Sequence, residues 1–247
     1  MKTMLITGGG RGIGAATALL AARHGFNMVI NYHRQQAAAE QVVARINESG
    51  GTAVAIRADI SKESEIINLF NETDRLFGNL YSLVNNAAVL YKQTSVENID
   101  TARLIRMFTV NSIAPFICSR EAVKRMSCKY GGTGGSIINV SSMAAISGSP
   151  HEYVDYAASK AALDTLTIGL SKEVASEGIR VNAVRPAFIY TGIHAGAGEP
   201  DRIQKNKNLI PMNRGGNAAE VAEAIVWLAS EKASYTTGGF INVSGGF

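Results

Sequence analysis

Cysteine is scarce in this 247-residue chain: there are two, Cys118 and Cys128. Both fall in one predicted helix, and at about 1.5 Å rise per residue they stand roughly 15 Å apart, too far to bridge. A disulfide-stapled module is therefore excluded. Free thiols point to a reducing compartment, which we read as the cytoplasm. No run of about 18 apolar residues is present to span a bilayer. The first apolar run reaches glycine by residue 8, which leaves no length for a signal-peptide core. Tandem repeats, low-complexity tracts and linkers are missing too. Nor does one charge dominate: 24 Lys and Arg against 20 Asp and Glu leave +4, spread along the sequence. So mild a balance argues against nucleic acid and suits a small anionic ligand equally well.

What is present is an ordinary globular composition, 46% hydrophobic and 18% charged, with 25 glycines, many of them at turns. Strand-like runs at 3–6, 28–31, 53–58, 82–85, 136–141, 180–185 and 240–243 alternate with helix-like segments. The helical segments are 13–24, 35–48, 62–77, 101–128, 154–176 and 218–229. Apolar strands separated by amphipathic helices predict βαβ units. Right-handed crossovers then give a doubly wound parallel sheet of seven strands with helices on both faces. Residues 1–247 suit a single α/β domain, with ligands at the carboxyl ends of the strands.

The chain is organised around Met4-Leu-Ile-Thr-Gly-Gly-Gly-Arg-Gly-Ile-Gly14. A buried strand, a glycine-rich turn and a helix start bring bare N–H groups and the positive end of a helix dipole against a phosphate. Gly8, Gly10, Arg11, Gly12, Ile13 and Gly14 are the candidate contacts. A dinucleotide fold that takes NAD usually carries an acid at the end of the second strand; here that place reads Asn31-Tyr32-His33-Arg34. With no carboxylate there, and with Arg11 able to converge on Arg34, Tyr32, His33 and Arg34 are read as a site for a 2′-phosphate. The cofactor expected is NADP, with NAD possible. Ser61 is expected to cap the helix at 62–77, helped by Glu63 and Glu65.

The strongest chemical set follows the fifth strand: Ser141-Ser142, then Tyr156-Ala-Ala-Ser-Lys160. Tyr156 and Lys160, four residues apart, share a helix face. Reducing a carbonyl needs a proton donor, and a phenol with a pKa of roughly 10 exchanges its proton slowly. An ammonium roughly 5 Å away, at a dielectric near 20, favours phenolate by about 3 kcal/mol, or about two pH units. Ser142, at a strand end, can donate to the same substrate oxygen. Tyr153 lacks a lysine four residues on, and Ser141 points to the other side of the strand.

Thr7-Gly8-x-x-x-Gly12-x-Gly14 with Ser142, Tyr156 and Lys160 resembles the short-chain dehydrogenase/reductase family, and the resemblance runs over essentially the whole chain in the correct motif order. Within it the chain is similar to bacterial oxidoreductases related to glucose dehydrogenase. The resemblance implies that Asp59 meets the adenine, and that Asn85 and Ala87, in Asn85-Asn86-Ala87-Ala88, meet the cofactor. It implies that Pro186, Ile189 and Thr191 hold the carboxamide, and that Asn111 bends its helix and holds a water in a proton relay. It also implies a Rossmann-type fold and a homotetramer, for which the apolar circumference of the helix at 157–170 gives a separate reason. Three departures stand out. Ala88 and Ala187 occupy places where the family has glycine, and Ser142 lies fourteen residues before the tyrosine instead of thirteen.

The substrate expected is a small-molecule carbonyl or secondary alcohol, with a substrate lid near 188–210. In that lid His194 is open between substrate contact and surface residue. No metal set, nucleic-acid site or membrane segment is expected. The alternatives are a 3-oxoacyl-carrier-protein reductase, with Lys124, Arg125 and Lys129 as a patch for an acidic carrier, and a non-catalytic dinucleotide sensor. A nucleotide-sugar epimerase is disfavoured by the glycine spacing and the short C-terminal part.

Overall fold

The computed structural model describes residues 2–247. Period-two alternation along each strand sends neighbouring side chains to opposite faces, and the two apolar cores follow from it. Met4, Ile6, Met28 and Ile30 face one cluster, while Leu5 and Val29 face the other. The strands are β1 (Thr3–Ile6), β2 (Asn27–Tyr32), β3 (Ala53–Arg57), β4 (Leu80–Asn85), β5 (Gly135–Val140), β6 (Ile179–Pro186), β7 (Ile189–Tyr190), β8 (Gly216–Asn217) and β9 (Phe240–Val243). Seven of them form one sheet in the order β3-β2-β1-β4-β5-β6-β9, every neighbouring pair parallel. The short β7 and β8 pair separately.

Helices α1 (Gly12–Arg23) and α2 (Gln36–Glu48) pack on the Met4 face. Helices α3 (Glu63–Phe77), α4 (Thr101–Phe108) and α5 (Ala114–Met126) follow, with α3 and α5 on the Leu5 face. Next come α6 (Ala144–Ser147), α7 (Val154–Val174), α8 (Gly192–Gly196), α9 (Arg202–Lys205) and α10 (Ala218–Ala229), with α10 joining α1 and α2. This is the doubly wound Rossmann arrangement in a single domain. Strand order reverses between β1 and β4, so the connections leaving their carboxyl ends diverge and open a crevice there.

The single helix expected over 101–128 is divided. A π-turn at Thr109–Ile113 separates α4 from α5, and Pro115 sits in the first turn of α5. Cys128 falls beyond α5 in a short 3-10 turn, so the two thiols do not share a helix; both are free, Cys118 buried and Cys128 exposed. Ser61 does not cap α3. Its hydroxyl and backbone N–H both donate to Asp59, and Lys62 takes the N-cap position without a side-chain bond. The lid region is not a plain loop, since β7, α8 and α9 fall within it. Among the described residues, no helix is long and apolar enough to cross a membrane.

Candidate active site

At the crevice lies a cavity of about 840 Å³. Its first wall is the glycine turn after β1. Gly8 and Gly12 have φ of +63° and +53°, a region that disfavours any residue with a side chain. A Cβ on Gly14 would stand 2.6 Å from the Gly8 carbonyl oxygen and 2.7 Å from Asn86 Nδ2, so only glycine lets α1 start this close. The N-cap of α1 is Arg11, whose side chain makes no capping bond, and no acid lies in the first turn. Ser, Thr, Asp or Asn would ordinarily satisfy those N–H groups. Here the positive end of the helix faces the cavity with nothing of the protein's own to neutralise it. That exposed end, together with a turn a Cβ would fill, fits the diphosphate of a dinucleotide.

Thr7 fixes the turn to the end of β4. Its Oγ1 accepts from the backbone N–H groups of Asn86 and Ala87 at 3.0 and 3.1 Å. Asn86 Nδ2 donates in return to the Thr7 and Gly8 carbonyls. Asn86 lines the cavity, a place the sequence reading left to its neighbour. Asn85 does not: it is 3% exposed, and its amide donates to Ser119 Oγ at 3.2 Å and Asn139 Oδ1 at 2.9 Å. Successive strand residues point to opposite sides, so only one of the two asparagines can meet a ligand.

At the end of β2, Asn31 turns inward, accepting from the Gly8 N–H and donating to the Ala58 carbonyl. Tyr32, His33 and Arg34 line the cavity, as does Arg11. Among the described residues, neither Arg11 nor Arg34 has an ion-pair partner. The nearest carboxylate in the wall is Asp59, 3.6 Å from His33 and 3.9 Å from Arg106. Burial works against its charge, but the Ser61 hydroxyl and N–H, with His33 and Arg106, hold the Asp59 carboxyl below its ordinary range.

The opposite wall carries Ser142, Tyr156 and Lys160. Ser141, one residue earlier, is turned inward and donates to the Lys160 carbonyl at 3.3 Å. Met143 is the N-cap of α6, and Ser142 Oγ accepts from the Ala144 N–H at 3.1 Å. Tyr156 and Ser142 both line this wall, and the Ser142 hydroxyl is close enough to favour the ionised phenol. Lys160 is 2% exposed; its Nζ donates to the Val140 carbonyl at 2.7 Å and lies 5.7 Å from the centre of the Tyr156 ring.

The expected lowering of the phenol by its lysine is overturned in the free protein. Burial pushes Tyr156 up to about 12, opposed only by the Ser142 hydroxyl. Burial likewise brings Lys160 down to about 8, against the pull of Asp164. Loss of water disfavours the charged form of each, which sends the phenol up and the ammonium down.

Asn111 does not reach the cavity. It sits in the π-turn, fully buried, its Oδ1 accepting from the Val89 N–H at 2.9 Å and its Nδ2 donating to the Val89 carbonyl and to Ser159 Oγ. Ser159 in turn donates to the Tyr156 carbonyl. Both ends of the amide are thus committed to protein, and Asn111 joins the helix carrying Tyr156 to the loop after β4. Pro186, Ile189 and Thr191 line the cavity from the β6–α8 connection, and His194 joins them from α8. Lys124 and Arg125 make no free basic patch, being paired with Glu121 and with Glu121 and Asp74 respectively.

Comparison with known proteins shows the family. Residues 8–247 match the family model described as enoyl-(acyl carrier protein) reductase. The chain is 54% identical to the uncharacterised oxidoreductase YgfF of Escherichia coli, over 100% of both chains. It is 38% identical to 3beta-hydroxysteroid dehydrogenase 1 of Eggerthella lenta, covering 99% of this chain and 93% of that one. The crystal structure of 3-ketoacyl-(acyl-carrier-protein) reductase from Brucella melitensis, complexed with NADH, superposes with a TM-score of 0.91 at 31% identity, over 99% of this chain and 97% of that one. The chain is an oxidoreductase and belongs to the short-chain dehydrogenase/reductase family.

Proposed function

We propose that the protein is an NADP(H)-dependent oxidoreductase that interconverts a carbonyl and a secondary alcohol. The observation that carries the reading is the meeting of Ser142, Tyr156 and Lys160 on one wall of a cavity whose other wall is the uncapped start of α1. When bound, a nicotinamide dinucleotide supplies the hydride to the carbonyl carbon, or accepts it in the reverse direction. As that bond forms, the electron pair of the C=O bond moves onto oxygen, and Tyr156 completes the alcohol by giving up its hydroxyl proton. The phenol carries that proton at neutral pH. Because burial holds it up at about 12 in the free protein, the charges that meet it in the loaded site, Lys160 among them, must bring it down for the transfer to be fast. Ser142, on the same wall as the phenol, orients the substrate oxygen beside it. Lys160 opposes the negative charge left on Tyr156 and is the residue for the ribose hydroxyls.

Preference for the phosphorylated dinucleotide is supported by Arg11 and Arg34 and by the missing acid at the end of β2. Gly8, Gly10, Gly12, Ile13 and Gly14 would hold the diphosphate, Asp59 the adenine, Ala87 and Asn86 the middle of the molecule, and Pro186, Ile189 and Thr191 the carboxamide. The protein is proposed to act in the cytoplasm as a homotetramer. Ile105, Ile113 and Phe116, on and between α4 and α5 and each at least half exposed, support such contacts, as does Ile168 on α7. A panel of ketones and alcohols with NADPH and NADH, ranked by kcat/KM, tests the reading. Turnover by Tyr156→Phe at the wild-type rate refutes it.

A further inference from the structure

The cavity wall also holds polar side chains that hydride transfer leaves unused. Arg202 is 7% exposed, and both its Nη atoms bond the Glu152 carboxylate, Nη1 at 3.1 Å from Oε1. Gln93 donates a further bond to Glu152 at 3.0 Å. The guanidinium carbon lies 4.8 Å from the centre of the Tyr153 ring and 5.5 Å from that of Phe188. The pair is therefore neutral overall and seated among aromatic rings.

Two polar atoms in the same group are buried without any partner: the hydroxyl of Tyr153 and Nδ1 of His194. Tyr153 is 3% exposed, and Glu152, Tyr153, His194 and Arg202 line the cavity together with Tyr156. Tyr153 is the N-cap of α7, three residues ahead of Tyr156, so the two phenols reach the cavity from neighbouring places on one helix. A buried hydroxyl with no partner is disfavoured unless something pairs with it. His194 is kept uncharged at neutral pH, burial and then Arg202 bringing it down to about 4, so it offers one N–H and one lone pair.

We propose that Tyr153 and His194, backed by the Arg202–Glu152 pair, form a subsite for a second, uncharged oxygen of the substrate, so that the protein prefers hydroxy ketones and diols to plain ketones and alcohols. The proposal rests on the hydride-transfer reading of Ser142, Tyr156 and Lys160. A carboxylate, phosphate or ammonium finds no unpaired opposite charge in this group, because Arg202 and Glu152 already cancel. A purely apolar substrate leaves both orphan atoms desolvated and unpaired. A hydroxyl or carbonyl oxygen satisfies them, while Phe188 and Phe247, ring centres 5.0 Å apart and edge to face, supply the apolar wall around its carbon frame.

The test uses matched pairs, acetone with hydroxyacetone and cyclohexanone with its α-hydroxy derivative, each with NADPH and NADH. The wild type is expected to favour the hydroxy member by about 10-fold or more in kcat/KM, since a site built to bond a hydroxyl rejects the analogue lacking it. Tyr153→Phe is expected to lower that preference by about 10-fold, and His194→Leu to lower it in the same direction. A readout independent of turnover is binding of the α-hydroxy ketone to the dinucleotide-free protein by ligand-observed NMR, expected to weaken in Tyr153→Phe relative to cyclohexanone. The melting temperature of Tyr153→Phe should not fall, because its hydroxyl bonds nothing in the protein. Equal kcat/KM within the wild-type pairs, or an equal loss on both members in the variants, overturns the subsite and leaves the dehydrogenase standing. No turnover of any member by wild type with dinucleotide bound overturns both.

Discussion

Replacing Lys160 with methionine should remove the chemistry and, at neutral pH, relieve a cost of folding. In the folded chain burial brings the Lys160 ammonium from an ordinary 10.5 to about 8, with Asp164 pulling the other way. At 1.36 kcal/mol per pH unit this is about 3 kcal/mol of instability below pH 8. The sign follows from proton counts. Between pH 8 and 10.5 the unfolded chain holds a proton on this lysine that the folded chain has released, so stability rises with pH in that window. The methionine variant has no such dependence. From pH 7 to 9.5 the wild type should therefore gain about 2 kcal/mol relative to Lys160→Met. Other groups titrate in both proteins and cancel in the difference. Stopping at 9.5 also avoids Tyr156, which is held up to about 12 and lowers stability in both proteins above pH 10. The bond from Nζ to the Val140 carbonyl is lost at every pH, so it offsets the difference without tilting it. Urea unfolding of the two proteins at pH 7, 8.5 and 9.5 measures the slope. A pH-independent difference refutes the claim that this ammonium is desolvated.

Tyr156→Phe should lower kcat by about 10²–10⁴-fold while dinucleotide binding, read by fluorescence titration, stays intact. Arg34→Glu should raise the KM for NADPH by about 10-fold or more and leave that for NADH within about twofold, because a charge-assisted contact to the 2′-phosphate is worth roughly 1.5–3 kcal/mol. An equal change for both coenzymes removes Arg34 from the selectivity argument. Gly14→Ala should destabilise the fold by about 1–3 kcal/mol in thermal or urea unfolding, since its methyl meets the Gly8 carbonyl oxygen at 2.6 Å. Iodoacetamide at pH 8 should label Cys128 and spare Cys118, whose thiol burial pushes up to about 12; mass mapping reads this directly.

The seven strands were legible in the sequence because each is a short apolar run bounded by turn residues, and their parallel order followed from the helices between them. Three local features were not. The π-turn at Thr109–Ile113 is one, because apolar residues run on through it and the stretch reads as one continuous helix. The inward and outward roles of Asn85 and Asn86 depended on the phase in which β4 ends. Lys160 and Tyr156 were correctly joined by spacing, but the sequence carries no measure of how deeply a helix is buried, so the sign of the phenol's displacement was missed. Glu152, Tyr153 and Arg202 illustrate the same limit. They are brought together across 50 positions of sequence, and the only hint was a second tyrosine beside the first.

The latch of Thr7 on Asn86 and Ala87 has a consequence for how this protein can change. It ties the glycine turn to the β4 end, so that a change at either is felt at the other and the coenzyme half of the crevice behaves as one rigid unit. Arg202 stands on α9, beyond the Ile189 and Thr191 positions assigned to the carboxamide, with no bond into that latch. New substrate tastes can therefore be tried on α9 without retooling the coenzyme half.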